Sequence, residues 1–231
     1  MKKKLVVLSG AGVSAESGIA TFRDANGLWE GHDVMQVASP QGWSADPALV
    51  LEFYNQRRKQ AQTAQPNQAH ILLAQLEQQY EVVIITQNVD NLHEKAGSSQ
   101  VIHLHGELFK SQSTLDPRLV YDMDHWELKL GDRCERGSQL RPYIVWFGEA
   151  VPMIEPAIEE VATADIFAVI GTSLLVYPAA GLVQYAPPYI PKFIIDLKVP
   201  AVGNIDNLIK INKTASEGVA EMIAHLSDIK D

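Results

Sequence analysis

The stretch Lys4-Leu5-Val6-Val7-Leu8-Ser9-Gly10-Ala11-Gly12-Val13-Ser14-Ala15 decides the fold. Residues 3–8 read as a short buried strand, with an unbroken apolar run at 5–8 of the kind found where both faces of a parallel sheet are covered. Gly10, Gly12 and Ala15 follow as G-x-G-x-x-A, a spacing that lets backbone N–H groups at a helix N-terminus approach a diphosphate. A dehydrogenase fingerprint needs a second strand about 20 residues on, ending in an acid for the ribose hydroxyls. Here the chain runs through Thr21-Phe22-Arg23-Asp24, and no strand-like run returns until 82–86. The turn implies a nucleotide site that is not built in the ordinary dehydrogenase way.

Outward from that turn, strand-like and helix-like runs alternate. Strands are expected at 4–9, 82–86, 100–104, 143–147, 166–170 and 192–197, and helices at 47–62, 66–79, 155–163, 178–184 and 214–226. This alternation predicts an α/β fold with a doubly wound, mostly parallel, Rossmann-like sheet. Two stretches, 24–65 and 107–140, lack sheet-like alternation and are long for loops within a compact domain. They are expected to pack together as a second, smaller domain formed by two insertions, leaving 1–23, 66–106 and 141–231 to the nucleotide-binding domain.

Composition narrows the function classes. The 231 residues, 46% of them hydrophobic, suffice for one sizeable core and a smaller satellite. A net charge of -9 argues against a grip on nucleic acid, which wants a clustered basic surface. The single cysteine, Cys134, excludes an intramolecular disulfide framework and a cysteine-based metal site. The basic start Met1-Lys2-Lys3-Lys4 leads into an apolar run too short for a signal-peptide core or a membrane span. A cytoplasmic protein with no membrane partner is expected.

Four further segments carry residues capable of chemistry. Thr86-Gln87-Asn88-Val89-Asp90-Asn91 places an amide pair and a carboxylate just beyond a strand's carboxyl end, where open α/β sheets bind ligands. Asp90 and Asn91 equally read as caps of the helix that follows. Val101-Ile102-His103-Leu104-His105-Gly106 ends a strand with two histidines at period two. One of them can act as a general base, since histidine titrates near neutral pH; alternatively, both are polar residues closing a strand. Gly171-Thr172-Ser173 offers small donors suited to phosphate or ribose, or to capping a helix. On the expected helix 47–62, Tyr54 and Arg57 stand at i and i+3 and share a face. Such a pair can bind a carboxylate through charge-assisted hydrogen bonds, and pairs of this type also decorate solvated surfaces.

Taken in order, Gly10-Ala11-Gly12-Val13-Ser14 with Gly18-Ile19 and Phe22-Arg23, then Thr86-Gln87-Asn88-Val89-Asp90, His105-Gly106, Val145-Trp146-Phe147-Gly148-Glu149 and Gly171-Thr172-Ser173 resemble the sirtuin family of NAD-dependent protein deacylases. The resemblance spans nearly the whole chain. It implies that Gly10, Ala11, Gly12, Gly171, Thr172 and Ser173 hold the diphosphate and adenosine side of NAD, and that Phe22 and Arg23 belong to a loop covering the nicotinamide ribose. Gln87, Asn88 and Asp90 match the nicotinamide pocket, and His105 matches the catalytic base, with His103 structural. The implied reaction is attack of an acyl-lysine carbonyl oxygen on the ribose C1′ with release of nicotinamide. His105 then deprotonates a ribose hydroxyl, and the acyl group leaves on ADP-ribose.

The resemblance also implies a substrate side. Val145, Phe147, Gly148 and Glu149, with Val176 and Tyr177, match segments between which sirtuins hold an acyl-lysine protein as an added strand, a mode with little sequence preference. Val145 and Phe147 would line the acyl-lysine tunnel or, on the residues alone, belong to a strand core. Phe53-Tyr54-Asn55-Gln56-Arg57 looks like the Y-x-x-R element of the class that removes succinyl and malonyl groups, and Ala38 falls where that class keeps a small residue.

Two departures stand out. Sirtuins usually carry a four-cysteine zinc module between the histidine and the F-G-E segment, whereas this interval holds Cys134 alone. Asp122, Asp124, His125 and Cys134 match no zinc spacing, so no metal is expected and Leu115, Leu119, Tyr121, Trp126, Leu128 and Leu130 are expected to hold the smaller domain. At the adenosine end the family's Asn-Leu reads Asp196-Leu197, and a glycine near the last helix reads Lys213; Asp196 can still accept from ribose hydroxyls. Three other readings remain at this level: an NAD hydrolase, a mono-ADP-ribosyltransferase and a non-catalytic nucleotide-binding module.

Overall fold

The computed structural model describes residues 2–20, 28–29 and 31–228. Its centre is a six-stranded sheet, all of whose neighbouring pairs are parallel, made of β1 (Lys4–Ser9), β4 (Glu81–Thr86), β5 (Val101–His103), β9 (Ile166–Ile170), β10 (Lys192–Ile195) and β11 (Leu208–Ile211). The spatial order β11-β10-β9-β1-β4-β5 is that of a dinucleotide-binding sheet, with a topological switch between β1 and β9.

Strand alternation splits the core into two layers. Leu5, Val7, Val82, Ile84, Ala168, Ile170, Phe193 and Ile195 point to one side, against Leu73 of α4 (Gln68–Gln75) and Val219 and Met222 of α7 (Ala215–Asp228). Val6, Leu8, Val83, Ile85, Phe167, Val169 and Ile194 point to the other, against Val161 of α6 (Ile154–Ala162) and Leu182 of the 3-10 turn Ala179–Tyr185. The doubly wound sheet expected from the sequence is therefore present.

Several expected elements take other forms. No α-helix follows Gly10; two 3-10 turns do, Ala11–Val13 and Ala15–Ser17, ending at Gly18 with φ 80. The run expected as a parallel strand at 143–147 is instead β8 (Leu140–Ile144), antiparallel to β6 (Gly106–Ser113), whose other edge pairs with β7 (Val120–Asp122). The stretch 107–140 thus contains sheet after all. Its buried side chains include Ser111 and Ser113, so no apolar alternation advertises it. β11 is a four-residue edge strand that the sequence reading omits. A short ribbon of β2 (Leu28–Trp29) and β3 (His32–Asp33) leads into α1 (Val34–Val37) and α2 (Pro40–Ala45). The Asp33 and Ser39 side chains cap these helices by accepting from Met35 N and Gly42 N.

α3 (Pro47–Thr63) ties the stretch 24–65 to the stretch 107–140. Phe53 and Tyr54 pack with Leu108, Ile144 and Trp146. Asn55 Nδ2 donates to Leu128 O at 3.0 Å and its Oδ1 accepts from Leu128 N at 2.9 Å, while Arg58 Nε donates to Trp126 O at 2.7 Å. Of the six residues expected to form the core of 107–140, only Leu128 is buried; Leu115 and Leu130 are 66% and 56% exposed. Polar contacts take their place. Ser113 and Ser138 hydroxyls meet at 2.8 Å, both lie against the Cys134 thiol, and Asp116 accepts from Arg118 Nε and Nη2 at 3.0 and 2.9 Å.

Candidate active site

The carboxyl ends of β1 and β9 touch through glycine. Gly10 N donates to Ile170 O at 3.0 Å and Gly12 N to Gly171 O at 2.8 Å. A Cβ on Gly12 would sit 2.7 Å from Gly171 Cα, and one on Gly171, at φ +64, would sit 2.4 Å from Val13 N. The two turns can close on each other only because neither carries a side chain there.

The end of β4 locks onto this cradle. Gln87 N donates to Ser9 O at 2.9 Å, and Gln87 Nε2 to Thr172 Oγ1 at 3.0 Å. Asn88 Nδ2 donates to Gly10 O and Ser14 Oγ, and Ser14 Oγ donates to Asp90 Oδ2 at 3.1 Å. Asp90 Oδ1 also accepts from Leu92 N at 3.1 Å, at the start of the helix that follows, as the capping alternative expects. Burial pushes the Asp90 carboxyl above its ordinary value, against the Leu92 and Ser14 hydrogen bonds.

The two histidines have opposite environments. His105 Nδ1 lies 3.0 Å from Gln87 O. A backbone carbonyl only accepts, so Nδ1 carries the hydrogen and Nε2 is left as the basic nitrogen. Burial lowers the His105 pKa, the Gln87 contact opposing it, which keeps the ring neutral and ready to take a proton at neutral pH. His103 Nδ1 likewise donates to Asn88 O at 3.0 Å, but its Nε2 meets Glu94 Oε1 at 2.7 Å. Burial, the largest single influence, would lower His103; Glu94, the Asn88 carbonyl and Glu107 together outweigh it and the pKa rises. His103 is thereby suited to holding the 88–94 segment.

At the far end Tyr54 and Arg57 are 0% and 8% exposed, so the pair is no solvated surface feature. Trp146 Nε1 donates to Tyr54 Oη at 3.1 Å, Phe147 N to Ala38 O at 2.9 Å, and Val145 N to His105 O at 2.9 Å. Glu149 accepts from Arg141 Nη1 and Nη2 at 2.7 and 3.1 Å and from Trp146 N at 2.8 Å.

One cleft, open to solvent, collects these groups. Gly10, Ala11, Gly12, Gln87, Asn88, Asp90, Gly171, Thr172 and Ser173 line it, as do His105 and Ala38, Tyr54, Arg57, Val145, Phe147, Gly148, Glu149, Val176 and Tyr177. Asp196 is not in its lining; it is buried beyond β10, accepting from Lys198 N at 2.8 Å. Phe22 and Arg23 lie outside the described residues. Ser14 and Trp146 line the cleft too, although the sequence reading gave them no role of their own. Ser14 sits inside the glycine-rich turn, and Trp146 was hidden in an apolar run that reads as core. Among the described residues no group of three or more His, Cys, Asp or Glu is placed to hold a metal.

Residues 10–178 match the Sir2 family. The chain belongs to the Sir2 family. An NAD-dependent protein deacylase of Bacteroides thetaiotaomicron is 55% identical over 225 residues, covering 95% of this chain and 96% of its own. Among solved sirtuin structures, a Sir2 homologue in complex with NAD superposes with a TM-score of 0.88 at 38% identity, covering 99% of this chain and 91% of the other. A Sir2 protein bound to acetylated peptide gives 0.80 at 29% identity, covering 98% and 94%.

Proposed function

We propose that this sirtuin removes acyl groups from protein lysines at the expense of NAD, giving nicotinamide and O-acyl-ADP-ribose. The observation that carries the reading is His105, a neutral base whose Nε2 is set free by the Gln87 carbonyl, in one cleft with the glycine cradle and the Asn88–Asp90 loop. The donor set fits NAD: backbone N–H groups and the Thr172 and Ser173 hydroxyls suit phosphate and ribose, while a carboxamide beside a carboxyl complements the nicotinamide amide. When bound, NAD supplies a ribose carbon that becomes electrophilic as nicotinamide leaves.

The chain's own residues do the rest. Gln87, Asn88 and Asp90 orient the amide end of the dinucleotide. Val145 and Phe147 shield the acyl-lysine stem from water, which would otherwise capture the reacting carbon. His105 Nε2 takes the proton of a ribose hydroxyl and gives it to the lysine nitrogen as the amine departs. The segments around 145–149 and 176–177 receive the protein substrate as an extended strand.

Tyr54 and Arg57 extend the substrates to acidic acyl groups, succinyl and malonyl. A buried guanidinium with a hydroxyl beside it offsets the desolvation of a carboxylate. The parts 24–65 and 107–140 act as a smaller domain against a nucleotide-binding domain of 1–23, 66–106 and 141–231; the Asn55 and Arg58 bonds to residues 126–128 support that division. The site is metal-free, and work in the cytoplasm fits a chain in whose described residues no helix is long and apolar enough to cross a membrane. Nicotinamide release, measured with NAD alone and with acetyl-, succinyl- and malonyl-lysine peptides, tests the function. Release is expected to require the peptide; equal release without any peptide would make the protein an NAD hydrolase.

A further inference from the structure

We infer that Trp146 sets the acyl preference of the cleft by fixing the direction of the Tyr54 hydroxyl, an inference that rests on the reading above that acidic acyl groups end at Tyr54 and Arg57. Trp146 is 2% exposed, and its Nε1–H reaches Tyr54 Oη at 3.1 Å. An indole N–H can only donate, so the phenol oxygen accepts there and its own proton is turned away from Trp146. Tyr54, Arg57 and Trp146 line the same cleft. Burial holds the Tyr54 phenol well above its ordinary value, against the Trp146 hydrogen bond and the charges of Arg57 and Arg141, so the hydroxyl keeps its proton. A phenol so directed and a guanidinium both act as donors. A carboxylate, which only accepts, satisfies both; an acetyl methyl satisfies neither.

Trp146 is itself held from behind. The Arg141 guanidinium lies 3.4 Å from the centroid of its ring. Arg141 is fixed by its fork to Glu149 and by donating to Ile144 O at 2.8 Å, and Glu149 also accepts the Trp146 backbone N–H. The indole cannot swing off Tyr54 without disturbing that cluster. Phenylalanine at 146 would keep an aromatic face for Arg141 and remove the donor that turns the Tyr54 proton away from position 146.

The readout is the ratio of kcat/KM for succinyl-lysine over acetyl-lysine peptide. Tyr54→Phe, which removes a hydrogen bond to a charged group, is expected to lower the ratio about 10-fold or more, and Trp146→Phe, which removes a neutral one, about 5-fold. In the Tyr54→Phe background, Trp146→Phe should move the ratio by less than about 2-fold, because the two act through one hydroxyl. Should Phe at 146 prevent folding, a benzothiophene analogue of tryptophan at that position keeps the two-ring shape without the N–H and carries the same expectation. Arg57→Met is the control, expected to lower the ratio about 30-fold or more. An unchanged ratio in Arg57→Met overturns the acidic-acyl reading itself. A lowered ratio there with an unchanged ratio in Trp146→Phe, or an equal loss with and without the Tyr54 hydroxyl, overturns the role given to Trp146.

Discussion

The carboxyl edge of the parallel sheet and the three-stranded sheet beside it are held together by different means. At the edge, strands with two apolar faces stop within contact distance of one another, and the turns that follow have no room for a single added carbon at Gly10, Gly12 or Gly171. Beyond β6 the apolar contribution is thin, and serines, a thiol and an Asp–Arg fork do the joining. Close packing concentrates the cost of a change in one atom, whereas a polar network spreads it over contacts that each contribute little. The reactive groups sit at the unforgiving edge, where their positions are defined most tightly.

The largest effect expected from this contrast is at Gly171. Alanine there needs a left-handed backbone and a Cβ 2.4 Å from Val13 N, so the unfolding free energy should fall by about 2–5 kcal/mol, combining the left-handed penalty with overpacking. Urea unfolding measures it, and a loss below about 1 kcal/mol would break the comparison, because it would show the edge to be compliant.

Next comes pH. Behind the edge, His70 and His93 rings meet at 4.8 Å, His93 Nε2 lies 3.0 Å from Ser9 Oγ, and His70 Nδ1 accepts from Asn67 N. Burial lowers both, His70 to about 4. The unfolded chain therefore binds protons first, near the ordinary histidine value of about 6.5, and the stability these rings contribute is full above that value and lost as pH falls towards 4. His70 alone accounts for roughly 3 kcal/mol over that span. Unfolding midpoints in urea from pH 7 to 4 should fall steeply, and His70→Gln should flatten the slope; an identical slope in that variant would remove the assignment.

The smallest effect belongs to the serine and thiol network. If polar contacts rather than a metal join residues 107–140, a strong chelator should leave the thermal midpoint unchanged and elemental analysis should find no stoichiometric zinc. One zinc per chain would show that a metal, not the Ser113, Ser138 and Cys134 cluster, carries that region.

The same contrast explains what the sequence made legible. β1, β4, β9 and β10 announce themselves because burial on both faces demands consecutive Val, Ile and Leu. β6 hides because its buried positions include Ser111 and Ser113, and Ser113 meets a hydroxyl and a sulfur rather than methyl groups. The run 143–147 misled for the opposite reason. It is apolar along its length, yet after Ile144 the chain leaves β6 and enters the cleft wall, where Phe147 N bonds to Ala38 O. Local glycine, amide and histidine patterns sufficed to gather most of the cleft. Asp196 stands outside the cleft's lining, with Oδ1 accepting from Lys198 N; a family position names a residue without saying which way its carboxylate points. The Trp146–Tyr54 bond joins residues far apart in the chain and leaves no local trace.

We propose His105, held neutral by burial and pointed by the Gln87 carbonyl, as the base for NAD-dependent deacylation. That role is tested most directly by following acyl-lysine peptide turnover with saturating NAD in the parent protein and in His105→Ala, with the thermal midpoint of each recorded alongside. The expected result is a loss of at least about 100-fold in turnover, the lower range for a general base, at an unaltered midpoint. Near-parental turnover in a folded His105→Ala protein would contradict it.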